Sequence, residues 1–244
     1  MIPDDAFRPT YAIPVLLGLA LAALFPASRA ISDPEARRKY RILQVATLVG
    51  AIVFAKLAAM FGDLGWPLEP IREPAAMLLG GRSITGALLG GFLGAEALKP
   101  VLGYREPPND RFAMILPFSV AIGRVGCLLS GCCRGAPTAV PWAVTDADGI
   151  ARHPAPVYEI LFQLTIGTVF VWMVRQERMR GRIFALYLVV YGTFRFLTEM
   201  IRDTPRLFGG LVSGYQLLAL VLVVVGGWGL SRALPRGTVS EAST

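Results

Sequence analysis

The sequence is poor in charge and almost without histidine. Only 17% of its 244 residues are Asp, Glu, Lys or Arg, and His153 is the sole histidine. Soluble domains carry about 25% charged residues and roughly 45–50% apolar ones; here the apolar share is 54%. That balance argues against a water-soluble globule. Repeats and low-complexity tracts are also missing. The first residues, Met1 to Phe7, hold Asp4 and Asp5 where a secretory signal would hold Lys or Arg. The first apolar block therefore reads as a retained span rather than a cleaved signal.

What is present is apolar residue in blocks of about 20, the length a helix needs to cross roughly 30 Å of hydrocarbon. The pattern predicts an all-α polytopic membrane protein of about seven spans. These are Tyr11–Ser28, Ile42–Phe61, Thr85–Leu98, Phe112–Leu129, Val157–Val174, Ile183–Ile201 and Val212–Leu230. They form one transmembrane domain covering residues 1–244. The third block is short and rich in glycine (Gly80, Gly81, Gly86, Gly90, Gly91, Gly94), a composition suited to close helix packing or to a partly buried, irregular entry.

The net charge of +7 does not point to nucleic acid, because the cations sit in short loops between the apolar blocks. Of the 24 Lys and Arg residues, 14 fall in the tail and the loops after the first, third and fifth spans. Seven fall at the N-terminus and in the other loops, and Lys56, Arg124 and Arg195 lie within spans. This two-to-one bias predicts an external N-terminus and a cytoplasmic C-terminus.

A cation inside a span costs on the order of 2.5–3.5 kcal/mol and normally faces a partner or a polar cavity. Span six carries Tyr191, Arg195, Glu199 and Arg202 at i, i+4, i+8 and i+11, one polar stripe on an apolar helix. Arg124 lies at comparable depth in span four, between Gly123 and Gly126. A purely structural reading pairs Arg195 with Glu199 and Lys56 with Glu96 as interhelical glue. It leaves unexplained why cations outnumber carboxylates at this depth and gather toward one leaflet. Arginine's planar fork suits phosphate, so the predicted ligand is the phosphate head group of a lipid.

Cys127, Cys132 and Cys133 lie near the outer end of span four. Two cysteines five apart on a continuous helix are separated by about 7.5 Å along the axis, too far for an unstrained disulfide. With His153 they could make a Cys₃His zinc site, but the spacing fits no usual pattern. They are read as small packing residues, no metal is expected, and His153 is read as an incidental loop residue.

Four segments in order, with a fainter echo in a fifth, resemble the prolipoprotein diacylglyceryl transferase family, bacterial inner-membrane enzymes with seven spans. Gly80-Gly81-Arg82-Ser83-Ile84-Thr85-Gly86 looks like the family's entry to span three. Gly123-Arg124-Val125-Gly126-Cys127, closing at Gly135, is similar to its signature segment. His153-Pro154-Ala155-Pro156-Val157-Tyr158-Glu159 is similar to its His-Pro-x-Gln-x-Tyr-Glu. Tyr191 to Arg202 resembles its span-six block, and Gly214-Tyr215-Gln216 its final Gly-Gln motif.

The resemblance implies transfer of diacylglyceryl from phosphatidylglycerol to the cysteine thiol of a prolipoprotein signal peptide, or to another acceptor. Glycerol phosphate is released and no cofactor is needed. It implies that Arg124 and Arg195 hold phosphate, with Glu199 as a further catalytic residue. Glu199 and Arg202 orient the stripe and meet the peptide, and Tyr191 is a further substrate-binding residue. Lys56, Thr85, Gly135, Tyr11, Tyr158 and Glu159 complete the substrate cavity. Lys56 stands where the family tends to have arginine, and Thr85 replaces the family's histidine, a proton acceptor for the thiol. Cys127, Cys132 and Pro156 replace an Asn, an acidic residue and a Gln. A lipid-head-group binding or transport protein without transferase activity is the alternative; a redox or metal protein using the cysteines is a third reading.

Overall fold

The computed structural model describes residues 9–24, 33–64, 81–104, 109–179 and 181–231. Among them seven helices follow one another. They are α1 (Pro9–Leu24), α2 (Pro34–Leu64), α3 (Ile84–Leu102), α4 (Asn109–Ser130), α5 (Ala155–Arg175), α6 (Ile183–Thr198) and α7 (Gly214–Ser231). Two antiparallel pairs of two-residue strands lie in the connections. β1 (Val144–Thr145) pairs with β2 (Ala151–Arg152) between α4 and α5, and β3 (Arg206–Leu207) with β4 (Val212–Ser213) between α6 and α7.

Each helix overlaps one expected span. Five regions are long and apolar enough to cross a membrane: Pro34–Asp63, Phe112–Ser130, Ala155–Arg175, Ile183–Ile201 and Gly214–Ser231. The other two differ for plain reasons: α1 has 16 described residues, and α3 dilutes its hydropathy with glycines, Glu96 and Lys99. The chain is an all-α membrane protein. Large apolar side chains such as Leu16, Ile52, Leu161 and Val224 are exposed on the outer helix faces, as lipid contact requires.

The helix that holds the second expected span begins before it, at Pro34. Asp33 accepts hydrogen bonds from the backbone N–H of Glu35 and Ala36, capping the first turn. The basic stretch before Ile42 is thereby helical rather than loop.

The buried core gathers around α6. Ile183, Tyr187, Leu188 and Tyr191 pack with Leu88 and Phe92 of α3, Ala113 of α4, Phe170 of α5 and Leu222 of α7. On the other side α2 meets α3 at backbone distance: a Cβ on Gly50 or Gly90 would drive into the carbonyl oxygen of the other. Close packing is thus what the glycines of α3 serve.

This register breaks the Lys56–Glu96 pair of the purely structural reading. Phe54 and Ala58 face Gly86, whereas Ala46 faces Gly94. Lys56 and Glu96 therefore lie about ten residues apart in level, roughly 15 Å along the axis. Glu96 instead pairs with Lys99 one turn away.

One tie sets the depth of the two span arginines. Asp110, in the first turn of α4, accepts from the backbone N–H of Gly181, Ile183 (2.9 Å) and Phe184 (3.4 Å) at the start of α6. A carboxylate satisfies the open N–H groups there and complements the helix dipole. Arg124 then stands 14 residues along α4 and Arg195 12 residues along α6 from that tie, about 21 and 18 Å. Two arginines on different helices reach the same level.

Candidate active site

At that level the side chains form one continuous buried network. Glu159, early in α5, lies at its centre. Its Oε2 is 2.9 Å from Arg124 Nε and 3.8 Å from Arg195 Nη1, and its Oε1 accepts from the Tyr191 hydroxyl at 2.7 Å. A rung deeper, Tyr187 donates to Gln163 at 3.1 Å, so α5 and α6 are stitched twice. Arg195 also donates to Glu199 Oε2 at 3.0 Å, and Arg202 Nε lies 3.5 Å from the same oxygen. Arg124, Glu159, Arg195 and Glu199 are each less than a tenth exposed.

The polar stripe expected on span six is thus present, with one local change. The helix tightens into a 3-10 turn over Glu199–Ile201, which turns Arg202 back toward Glu199. Both carboxylates are shared among guanidiniums rather than neutralising one each. Among the described residues three arginines share these two carboxylates.

The network also leaves donors unused. Arg124 Nε is within charge-pairing distance of Glu159, but its N–H is not aimed at the oxygen. Arg124 Nε and Arg202 Nε are both buried with no hydrogen-bond acceptor among the described residues. Buried N–H groups without acceptors are rare and call for explanation. An anion with several oxygens would satisfy them.

A polar lid closes this end. Gly135 donates its backbone N–H to His153 at 3.0 Å and bridges to Arg202. A Cβ at Gly135 would lie 2.5 Å from His153 Cβ and 2.6 Å from its carbonyl oxygen, so only glycine lets the strands close. Asp146 gathers Arg134 (3.1 Å) and Arg152 (2.7 Å), and Arg152 reaches Asp203 at 3.1 Å. Hydrogen bonds from the backbone N–H of Ile150, then from Arg152, Asp148 and Arg134, hold the Asp146 carboxyl down at about 2.

Several residues around Glu199 were not foreseen. Thr204 and Ser213 donate to its Oε1 at 2.6 and 3.4 Å, and Gln216 accepts from Arg206 at 3.2 Å. Asp63 of α2 accepts from Tyr215 at 2.7 Å and lies within electrostatic reach of Arg202 and Glu199. The Gly214-Tyr215-Gln216 motif was the visible signal for this group; the partners on Thr204 and Asp63 had none.

Other expected residues lie apart. Tyr158 points away from Glu159 into the lid, accepting from Trp142 at 2.7 Å and sharing a 3.1 Å hydrogen bond with His153 Nδ1. Thr85 is buried in the first turn of α3 and makes no hydrogen bond with the arginine network among the described residues. Lys56 interacts electrostatically with Arg82 and Asp63. The side chain of Tyr11 lies outside the described residues.

The cysteines depart most from expectation. α4 ends at Ser130, Gly131 takes φ 68°, and the backbone N–H of Cys132 returns to Cys127 O at 3.1 Å. This left-handed glycine cap folds the chain back, so spacing along a continuous helix does not apply. The three sulfurs all lie within 4.8 Å of one another. Arg124 Nη1 donates to Cys133 (3.6 Å) and Cys127 (3.7 Å). Hydrogen bonds from the Cys127 and Cys132 thiols, helped by Arg124 and Arg202, pull the Cys133 thiol well below its ordinary range.

Comparison with known proteins gives the family. The family model described as prolipoprotein diacylglyceryl transferase matches residues 8–232. The chain belongs to that family. A phosphatidylglycerol–prolipoprotein diacylglyceryl transferase of Solidesulfovibrio magneticus is 31% identical over 249 aligned positions, covering 95% of this chain and 92% of the relative. One of Vibrio atlanticus is 28% identical, covering 88% and 83%. One of Clostridium tetani is 29% identical, covering 75% and 76%. Family membership makes the chain a transferase.

Proposed function

We propose that this protein moves the diacylglyceryl group of phosphatidylglycerol to the cysteine thiol of a prolipoprotein, or a related acceptor, and releases glycerol phosphate. It does so as a single domain of seven spans in the bacterial inner membrane, with its N-terminus outside and its C-terminus in the cytoplasm. The observation that carries the reading is the guanidinium charge shared over Glu159 and Glu199, with buried N–H donors still open on Arg124 and Arg202. The names of the relatives supply the substrates.

The chemistry follows from charge. As the bond from lipid glycerol to phosphate oxygen breaks, negative charge builds on the leaving phosphate. Donors fixed beforehand in a site of low dielectric stabilise that charge without reorganising. Arg124 and Arg195 are the donors, and Glu199 holds Arg195 and Arg202 in place. The Tyr191 hydrogen bond ties Glu159 of α5 to α6, so that Glu159 stands between Arg195 and Arg124 of α4.

The test is incubation of purified protein with phosphatidylglycerol and a lipobox peptide, read by mass spectrometry. The expected result is a peptide carrying the diacylglyceryl increment and stoichiometric glycerol phosphate. Binding of phosphatidylglycerol with neither product would favour a lipid-binding protein without turnover, a reading that Thr85, in place of a proton-accepting histidine, supports.

A further inference from the structure

The site described above accounts for the phosphate but not for the acceptor's proton, because Thr85 is no base near neutral pH. The cysteine cluster beside Arg124 has no part in phosphate binding. Its three sulfurs, on one turn and the loop after it, lie within 4.8 Å of one another. Zinc binds thiolate at about 2.3 Å, which in a tetrahedron sets sulfurs about 3.8 Å apart. Side-chain rotations closing the gap by about 1 Å or less would complete three vertices.

Among the described residues no other His, Cys, Asp or Glu joins the cluster. His153 is turned to Tyr158 instead. Three protein ligands and one open position is the pattern of a zinc site that binds substrate, whereas structural sites are closed with four. Monovalent copper, another soft-ligand metal, would be satisfied by the three sulfurs and offer no such position.

The surroundings match the charge. Zinc with three thiolates carries one net negative charge, which Arg124 Nη1 offsets at 3.6 and 3.7 Å from two of the sulfurs. The same guanidinium lies 2.9 Å from Glu159 at the heart of the phosphate network. A thiol held on the metal would therefore sit beside the group undergoing displacement.

We infer that Cys127, Cys132 and Cys133 bind a zinc ion whose fourth position takes the acceptor's thiol as thiolate. The metal-binding half stands on the cluster alone; the thiol half rests on the transferase reading. On binding, the acceptor S–H gives its proton to water, since a coordinating thiol is deprotonated outright. The zinc-bound sulfur then forms a bond to the glycerol carbon. The bond from that carbon to phosphate oxygen breaks, its electron pair leaving with glycerol phosphate. No electron is gained or lost overall.

The test uses the purified full chain, stripped with a chelator and titrated with Zn²⁺ against a chromogenic competitor, and in parallel with Co²⁺. The expected result is one zinc per chain and a thiolate-to-cobalt charge-transfer band. Cys132→Ser and Cys133→Ser should weaken zinc by more than the roughly 10–100-fold that loss of a supporting group costs. Both variants should still bind phosphatidylglycerol, which shows that they are folded.

A lipobox peptide should shift the cobalt spectrum, and the same peptide with serine for cysteine should not. Substoichiometric zinc, equal binding in the serine variants, a Cys127–Cys132 disulfide in the purified protein, or a cobalt spectrum blind to the peptide would each overturn the inference. Transfer by zinc-free protein would overturn it and leave the transferase reading intact. Zinc binding and a peptide response without any adduct would uphold it and sink the transferase reading.

Discussion

Glu159→Gln is the sharpest probe of how the site is built. The amide keeps the shape and an oxygen for the Tyr191 hydroxyl, now at 2.7 Å from Glu159, but removes the charge shared by Arg124 at 2.9 Å and Arg195 at 3.8 Å. Each attraction is worth about 4 kcal/mol at an effective dielectric near 20, and desolvation of the carboxylate opposes both. Breaking one side of a buried pair costs about 3–5 kcal/mol in practice.

For a chain of this size that lowers the melting temperature in detergent on the order of 10 °C. The substitution also removes one negative charge from the network. Phosphatidylglycerol should therefore stabilise the variant more than the wild type, by linkage, and a zwitterionic phospholipid should not. A variant melting within about 2 °C of wild type, on that same scale, would refute the placing of Glu159 between two charged arginines. So would an equal response to both lipids.

Arg124→Lys keeps the charge but loses the fork, so turnover should fall about 10²-fold or more, as when one transition-state donor is removed, in the mass-spectrometric transfer assay. Gly135→Ala puts a methyl where the lid strands meet His153 and Ile201. It should cost about 1–3 kcal/mol by overpacking, seen as a lower melting temperature, and reduce turnover by displacing Arg202. Asp146→Asn tests the lid. The folded carboxyl titrates near 2, below its unfolded value, so its stabilisation is present above about pH 4 and lost as pH falls toward 2. Protease cutting of the lid should be faster in the variant at pH 7, and the difference should vanish near pH 2.

Span six was legible because polar residues on an apolar helix cannot hide. Tyr191, Arg195, Glu199 and Arg202 share a face by spacing alone, and burial follows from the cost of leaving charge in lipid. The glycines of α3 were legible for a similar reason, since so many in one span have no role but close approach. Pairing across helices was not. Lys56 and Glu96 fail to meet because the Gly50–Gly90 contact sets the α2–α3 register, and nothing in either residue encodes that.

The closeness of the three cysteine sulfurs was missed through one assumption, that helical spacing continues past Ser130. Gly131 was the available signal, as the residue type that most often ends a helix in a left-handed turn. Glu199 gathers Thr204 and Ser213 from beyond the helix end, partners that depend on how the strands β3 and β4 fold back. Glu159 looked like a cavity-lining residue in sequence. Only the convergence of α4, α5 and α6 puts it between two arginines.

The two halves of the site rest on different kinds of structure, and this makes them separable. The phosphate half is built on α4, α5 and α6, whose relative depth is set by Asp110 at the far end. The thiol half sits on the last turn of α4 and the loop after it, and among the described residues Arg124 hydrogen-bonds its sulfurs while reaching Glu159 of the phosphate half. Arg195→Ala should therefore abolish phosphatidylglycerol binding and transfer together, since it removes a guanidinium paired to both carboxylates. Cys133→Ala should leave lipid binding near the wild-type level, measured by the lipid-induced rise in melting temperature, while transfer collapses. If Cys133→Ala weakens lipid binding as much as Arg195→Ala does, the loop is part of the phosphate site. The acceptor's thiol would then have to be activated elsewhere.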